Sequence, residues 1–207
     1  MSLHAIVPVK ALDRAKSRLA GALAPAERRA LVLEMLARVV AALRDPAAPV
    51  AAVWLVSADP TALGLAAAWG ARPLREAAGE LNGALEQARG AALATGAEAL
   101  LVLPGDVPLV TPADIAAMAG LLRDGADVTL ATDAEGSGTN ALGLRRGADL
   151  PFSFGPASAA RHAAAAAARG LLLRRYSSPT LALDVDGPES LARYRALAPA
   201  PPARAVG

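Results

Sequence analysis

Three separated segments carry side chains suited to phosphate and metal chemistry: Val7-Pro8-Val9-Lys10 with Lys16 and Arg18 close behind, Pro104-Gly105-Asp106, and Leu183-Asp184-Val185-Asp186. In the first, Lys10, Lys16 and Arg18 place three cations on a loop leaving an apolar run. Such a loop suits a polyphosphate, because each cation offsets negative charge and the backbone amides add donors. It also fits a solvated basic face. The glycines of a Walker A loop and of a GxGxxG turn are both missing. In the second segment a carboxylate follows a buried-type run, Gly105 lets another backbone approach, and Pro104 and Pro108 stiffen the turn. A turn-capping Asp106 is the alternative. In the third, an extended chain puts Asp184 and Asp186 on one face, about 7 Å apart. Two like charges there repel unless a cation lies between them, and Mg²⁺ with its oxygen ligands suits that position. Asp186 also reads as the cap of a helix opening at Gly187-Pro188.

Other polar positions give weaker signals. Gly138-Thr139-Asn140 is a polar turn able to hold a phosphate or carboxylate. Phe154-Gly155-Pro156-Ala157-Ser158 leads into an Ala-rich helix, so Ser158 is either an anion contact at a helix start or an ordinary N-cap. Asn82 opens another helix, where it either reads a base edge or caps. His162 is expected to be an ordinary helix residue, His4 an ordinary strand residue, and Trp54 and Trp69 packing groups.

The chemistry the chain lacks narrows its class. Without cysteine it has no disulfide, no thiolate nucleophile and no Cys-based zinc site. Two histidines are too few for a His-rich transition-metal centre. No GxSxG elbow is present. With a net charge of +2 and basic pairs scattered at Arg28/Arg29, Arg145/Arg146 and Arg174/Arg175, no track for nucleic acid is expected. No signal peptide or membrane span is read, so a cytoplasmic protein is expected.

Positioning these side chains falls to alternating strands and helices. Strands are expected at 3–9, 50–56, 99–103, 128–131, 140–144, 171–176 and 180–185. Helices are expected from Pro25 to the Asp45-Pro46 stop and at 61–69, 80–94, 111 onward, 157–169 and 188–197. Hydrophobic residues make up 54% of the chain but aromatics only 3%, so the core must be Leu, Val, Ile and Ala. That filling and that alternation predict an α/β fold, a single domain over residues 1–197 with a mostly parallel central sheet flanked by helices. The Pro/Ala-rich stretch 198–207 is expected to be a disordered tail. In such sheets ligands bind beyond the carboxyl ends of the strands, where all three charged segments fall.

Taken in order, Val7-Pro8-Val9-Lys10 with Ala15-Lys16-Ser17-Arg18-Leu19, Leu81-Asn82, Leu103-Pro104-Gly105-Asp106-Val107-Pro108, Gly138-Thr139-Asn140, Phe154-Gly155-Pro156 and Asp184-Val185-Asp186-Gly187-Pro188 resemble the 2-phospho-L-lactate guanylyltransferases, the CofC/FbiD family. These sit within a wider Rossmann-like nucleotidyltransferase group that includes the molybdenum-cofactor guanylyltransferases. The resemblance runs from residue 3 to about residue 195. It implies transfer of GMP from GTP to phosphoenolpyruvate, 2-phospho-L-lactate or a similar phosphorylated three-carbon acid, with release of pyrophosphate, in coenzyme F-420 biosynthesis. It also implies that Asp106, Asp184 and Asp186 carry Mg²⁺ and that Val7, Pro8, Val9, Lys10, Lys16, Arg18, Asn82, Pro104 and Gly105 face the nucleotide. Catalysis would then rest on the three aspartates with Lys10 and Lys16, while Thr139, Gly155 and Ser158 hold the acceptor. The chain departs from the family at Ala157 and Ala159, where Gly and a large apolar residue are expected, and this leaves the acceptor's identity open. The alternatives are a nucleotidyltransferase acting on a pterin cofactor or sugar phosphate, and a non-catalytic nucleotide-binding domain. The residues leave the oligomeric state, a homodimer included, open.

Overall fold

The computed structural model describes residues 1–12, 16–77 and 79–198. The expected disordered tail lies outside the described residues apart from Ala198, as does Ala15 of the basic loop. Seven strands form one sheet: β1 Leu3–Val9, β2 Val50–Ser57, β3 Arg72–Arg75, β4 Ala99–Val102, β5 Val128–Thr132, β6 Thr139–Arg145 and β7 Leu173–Arg175. Their order is β3-β2-β1-β4-β6-β5-β7. Only β6 runs against its neighbours, pairing antiparallel with β4 and β5. The helices are α1 Pro25–Arg44, α2 Pro60–Ala68, α3 Leu81–Ala94, α4 Pro112–Arg123, α5 Ser158–Ala168 and α6 Pro188–Leu197. The sheet is therefore mostly parallel, as the sequence predicts.

Each face of the sheet has its own core. On one, Leu3, Ala5, Val7 and Val9 of β1 and Leu101 of β4 meet Met35, Leu36, Val39 and Leu43 of α1, with Ile115 and Met118 of α4 and Leu191 of α6. On the other, Ile6, Leu100 and Val102 meet Leu85, Ala88 and Ala92 of α3 and Ala159 and Ala166 of α5. Alternate side chains of one strand thus feed opposite layers, as a strand covered on both faces requires. Each large side chain fully buried here stabilises by roughly 2 kcal/mol. The small Ala faces of α3 and α5 let their backbones lie close to the sheet.

Two segments differ from expectation. Residues 72–75 form an edge strand that the sequence hides, since Arg72-Pro73-Leu74-Arg75 has neither alternation nor an apolar run. Pro73 is tolerated because an edge strand leaves one side of its backbone unpaired. Conversely, residues 180–185 are not a strand. Their backbone meets no ladder: Ala182 N–H turns back to the Ser178 carbonyl at 2.9 Å, and the Leu181 carbonyl accepts from the Asn140 side chain at 2.9 Å. Val185 N–H then donates to the Asp106 carbonyl at 3.0 Å. The segment crosses the rim as an irregular strap.

That strap is tied to α4. Asp114, only 4% exposed, caps the helix reciprocally with Thr111 and accepts from the hydroxyls of Tyr176 at 2.9 Å and Thr180 at 2.7 Å. Burial opposes its charge, yet the Ser178, Thr180 and Thr111 hydroxyls hold the carboxyl below its usual value. Among the described residues no helix is long and apolar enough to cross a membrane.

Candidate active site

At the carboxyl rim of the sheet the ends of β1, β4 and the strap converge. Lys16 Nζ lies 2.7 Å from Asp106 Oδ2 and 2.6 Å from Asp186 Oδ1, bridging residues 90 and 170 positions away. Its side chain is only 9% exposed. The Lys16 backbone is left-handed, with φ 55°, a conformation that costs a non-glycine residue energy and is held here by the two ion pairs. Burial opposes the ammonium charge, but the Asp106 and Asp186 carboxylates outweigh it and keep the lysine above its usual value. Asp186 feels burial too, and is nevertheless held below the usual carboxylate range by the charges of Lys16, Arg18 and Lys10. Arg18 stands exposed at the mouth, 3.9 Å from Asp186.

Asp184 behaves differently. Burial pushes its carboxyl above the usual value, and the nearby charges of Asp106 and Asp186 add to that, against hydrogen bonds from Asn140 and from its own backbone. Asn140 Nδ2 lies 3.3 Å from Asp184 Oδ1. The structure therefore brings Asp106, Asp184, Asp186, Lys16, Arg18 and Lys10 into one electrostatic neighbourhood. Among the described residues, no three carboxylate or imidazole groups are arranged to hold a metal ion. The Lys16 ammonium takes the position between Asp106 and Asp186. The donors present are all oxygens, and a carboxylate disfavoured as an anion beside two others is a place where a hard cation relieves repulsion. One or two of these carboxylates together with phosphate oxygens fit Mg²⁺.

The residues expected to hold the acceptor lie around the start of β6, on the same rim. A register shift at Ala131/Thr132 breaks the β5–β6 ladder, and the two side chains that follow point apart. Asn140 reaches the strap, whereas Thr139 Oγ1 lies 3.1 Å from His162 Nδ1 on α5. The turn expected at 138–140 is thus already strand from Thr139. Ser158 is the first residue of α5, 2% exposed, and among the described residues its hydroxyl has no hydrogen-bond partner. Gly155 has φ 122°, which only glycine adopts without strain. Ala157 has φ 52°, so the residue where the family pattern expects Gly sits in a Gly-type conformation. Asn82 clamps this loop: its Oδ1 accepts from Phe154 N–H at 2.8 Å and its Nδ2 donates to the Phe154 carbonyl at 3.3 Å. Gly105 packs under β1, where an added Cβ would lie 3.2 Å from Leu36 Cδ1 and 3.9 Å from the Pro8 carbonyl. Pro8 and Val9 close β1 immediately before Lys10.

Comparison with known proteins decides the family. The family model described as "Guanylyl transferase CofC like" matches residues 3–194. The chain belongs to that family. This CofC-like chain is 48% identical over 196 residues, 95% of each chain, to a protein of Rubrobacter xylanophilus named phosphoenolpyruvate guanylyltransferase. A protein of the same name from Chloroflexus aggregans is 48% identical over 191 residues, covering 91% of this chain and 94% of the relative. Among solved structures, a nucleotidyl transferase from Methanothermobacter superposes with a TM-score of 0.69 at 21% identity, covering 94% of this chain and 96% of the other. The fold is that of the nucleotidyltransferases.

Several residues that shape the CofC-like site carry no local sequence signal. Ser57, which ends β2, and Asp59 just beyond it pin the basic loop: Ser57 Oγ donates to the Val9 carbonyl at 2.8 Å, and Asp59 Oδ2 accepts from Leu12 N–H at 3.0 Å. Asp59 is also the N-cap of α2, accepting from Thr61 and Ala62. His162 was expected to be an ordinary helix residue. It is fully buried, accepts from Ser153 N–H at Nε2 (3.0 Å), and packs edge-on against Phe154 with ring centroids 5.1 Å apart. The spacing Ser158, Ala159, His162, Ala166 is the buried stripe of a helix, and it is the one pattern that points to His162.

Proposed function

We propose that the chain transfers GMP from GTP to a small phosphorylated acid, with phosphoenolpyruvate as the preferred acceptor and pyrophosphate as the second product. The observation that carries this reading is the Lys16 ammonium shared by Asp106 and Asp186, with Asp184 beside them, at the strand rim of a CofC-like guanylyl transferase. The acceptor follows the names of the relatives. Guanine follows the family, and with it a step in building coenzyme F-420.

The chemistry asks little proton transfer of the protein. The second pKa of a phosphomonoester is about 6, so the acceptor phosphate is already an anion at neutral pH. One of its oxygens forms a bond to the α-phosphorus of GTP as the bond to the β-phosphate oxygen breaks. No general base is required, which suits a site without an exposed histidine. The obstacle is bringing one anion onto another, and positioning plus electrostatics supply most of the rate in such reactions. Lys10, Lys16 and Arg18 offset the charge of the triphosphate and of the departing pyrophosphate. Asp106, Asp184 and Asp186 would hold Mg²⁺ together with phosphate oxygens, and Mg²⁺ there neutralises phosphate charge as a Lewis acid. Thr139, Gly155 and Ser158 face the acceptor, the loop being held by Asn82.

The test crosses GTP, CTP and ATP with phosphoenolpyruvate, 2-phospho-L-lactate and 3-phosphoglycerate and measures pyrophosphate release. Release with GTP and phosphoenolpyruvate above all other pairs is expected. GTP binding without release for any acceptor would instead mean a non-catalytic nucleotide-binding domain.

A further inference from the structure

His162 is the one buried imidazole on the acceptor side of the rim, and its surroundings fix where its proton sits. Burial, with the nearby Arg161 charge, lowers its pKa to about 4, so the ring is neutral at physiological pH. A neutral imidazole has one N–H and one lone pair. Ser153 N–H can only donate, and it points at Nε2 from 3.0 Å. Nε2 must therefore hold the lone pair, and Nδ1 carries the proton. The group facing Nδ1 at 3.1 Å is Thr139 Oγ1. The Thr139 hydroxyl thus accepts from the ring, and its own hydrogen is left for another partner.

We propose that His162 is a positioning residue that sets the Thr139 hydroxyl as a donor toward the acceptor's anionic oxygens. The same ring locks the 153–158 loop, through Ser153, to the start of β6. The inference rests on the acceptor lying against Thr139, Gly155 and Ser158. Without the histidine, the hydroxyl could spend its hydrogen on any local acceptor, and a ligand would have to re-orient it on binding.

The test is a double-mutant cycle of His162→Phe, which keeps a flat ring without nitrogens, and Thr139→Val, read as the KM for phosphoenolpyruvate and kcat. Loss of one oriented hydrogen bond predicts a five- to tenfold rise in acceptor KM for either variant, on the order of one net hydrogen bond. For His162→Phe the GTP KM and kcat should stay within about twofold, and Thr139→Ser should restore the acceptor KM. In the Thr139→Val background, His162→Phe should add clearly less than it does alone, the remainder coming from the freed Ser153 loop; a full, multiplicative increase there would overturn the proposal.

A second readout does not depend on turnover. The chain has two histidines, and His4 Nδ1 accepts from Trp54 Nε1 at 3.3 Å. Nitrogen-15 spectra should therefore show the two rings in opposite neutral tautomers, His4 as Nε2–H and His162 as Nδ1–H, with His162 assigned by its loss in His162→Phe. An Nε2–H or charged His162 at pH 7 would sink the idea, as would ring resonances unmoved by saturating phosphoenolpyruvate. If no acceptor supports pyrophosphate release, the transferase reading fails, while the tautomer and the response to phosphoenolpyruvate still decide the role of His162.

Discussion

Acidifying the protein should destabilise it through His162, and the size of the loss follows from that ring's surroundings. In the unfolded chain the imidazole titrates near 6.5, whereas in the fold it resists protonation until about 4. Between those values the unfolded state binds the extra proton, so stability is fully present above about pH 6.5 and falls as pH drops toward 4. One pKa unit is worth about 1.36 kcal/mol, so the full window amounts to about 3.4 kcal/mol. From pH 7 to pH 5 the loss comes to about 2 kcal/mol, or roughly 4–8 °C in Tm for a chain of this length. The assay is urea unfolding of wild type and His162→Phe at both pH values. His4 and the carboxylates titrate alike in both proteins, so the difference isolates one ring. Wild type should lose about 2 kcal/mol more than the variant between pH 7 and pH 5. Parallel losses would refute the reasoning, because they would mean that the buried ring is free to charge in the folded state.

Further outcomes follow from the same contacts. Lys16→Met leaves Asp106, Asp184 and Asp186 facing one another without their cation; kcat/KM for GTP should fall by roughly a hundredfold in steady-state assays, with stability changed by only about 1 kcal/mol in urea titrations because the carboxylates left behind are partly exposed and water can solvate them. Asp114→Ala strands the donors of Thr111, Tyr176 and Thr180 and should cost about 3 kcal/mol by denaturant titration. Ala157→Gly removes a left-handed alanine and should raise stability by about 1 kcal/mol, the reverse of the usual effect of glycine beside a helix; a lower Tm would contradict the strain seen at that residue.

Most of the sheet and its helices were legible because their causes are local. Apolar runs mark β1, β2 and β4, and Pro25, Thr111-Pro112 and Gly187-Pro188 mark where helices open. The edge strand Arg72–Arg75 was hidden because an exposed edge needs no apolar alternation. Residues 180–185 were over-read as a strand because Leu181, Leu183 and Val185 do alternate inward, yet only neighbouring backbone makes a ladder, and none is there. Lys10 and Asp106 were legible from their places after β1 and β4, whereas Asp184 and Asp186 reach the rim on the strap and not at a strand end. What the sequence could not show is that Lys16 would lie between two aspartates far away in the chain, or that Ser57 and Asp59 would hold its loop. Those are long-range contacts without a local pattern. His162 hid for the same reason, since its partners Thr139 and Ser153 lie outside its helix.

Whether the rim carboxylates perform nucleotidyl transfer can be read from phosphorus-31 spectra of GTP mixed with phosphoenolpyruvate, Mg²⁺ and the enzyme. Wild type should convert the acceptor's phosphomonoester signal into a pyrophosphate-linked diester, with one equivalent of free pyrophosphate, and folded Asp106→Asn should form neither. Product formation by Asp106→Asn at a rate near wild type, or pyrophosphate without the diester, would mean that these carboxylates do not carry the transfer.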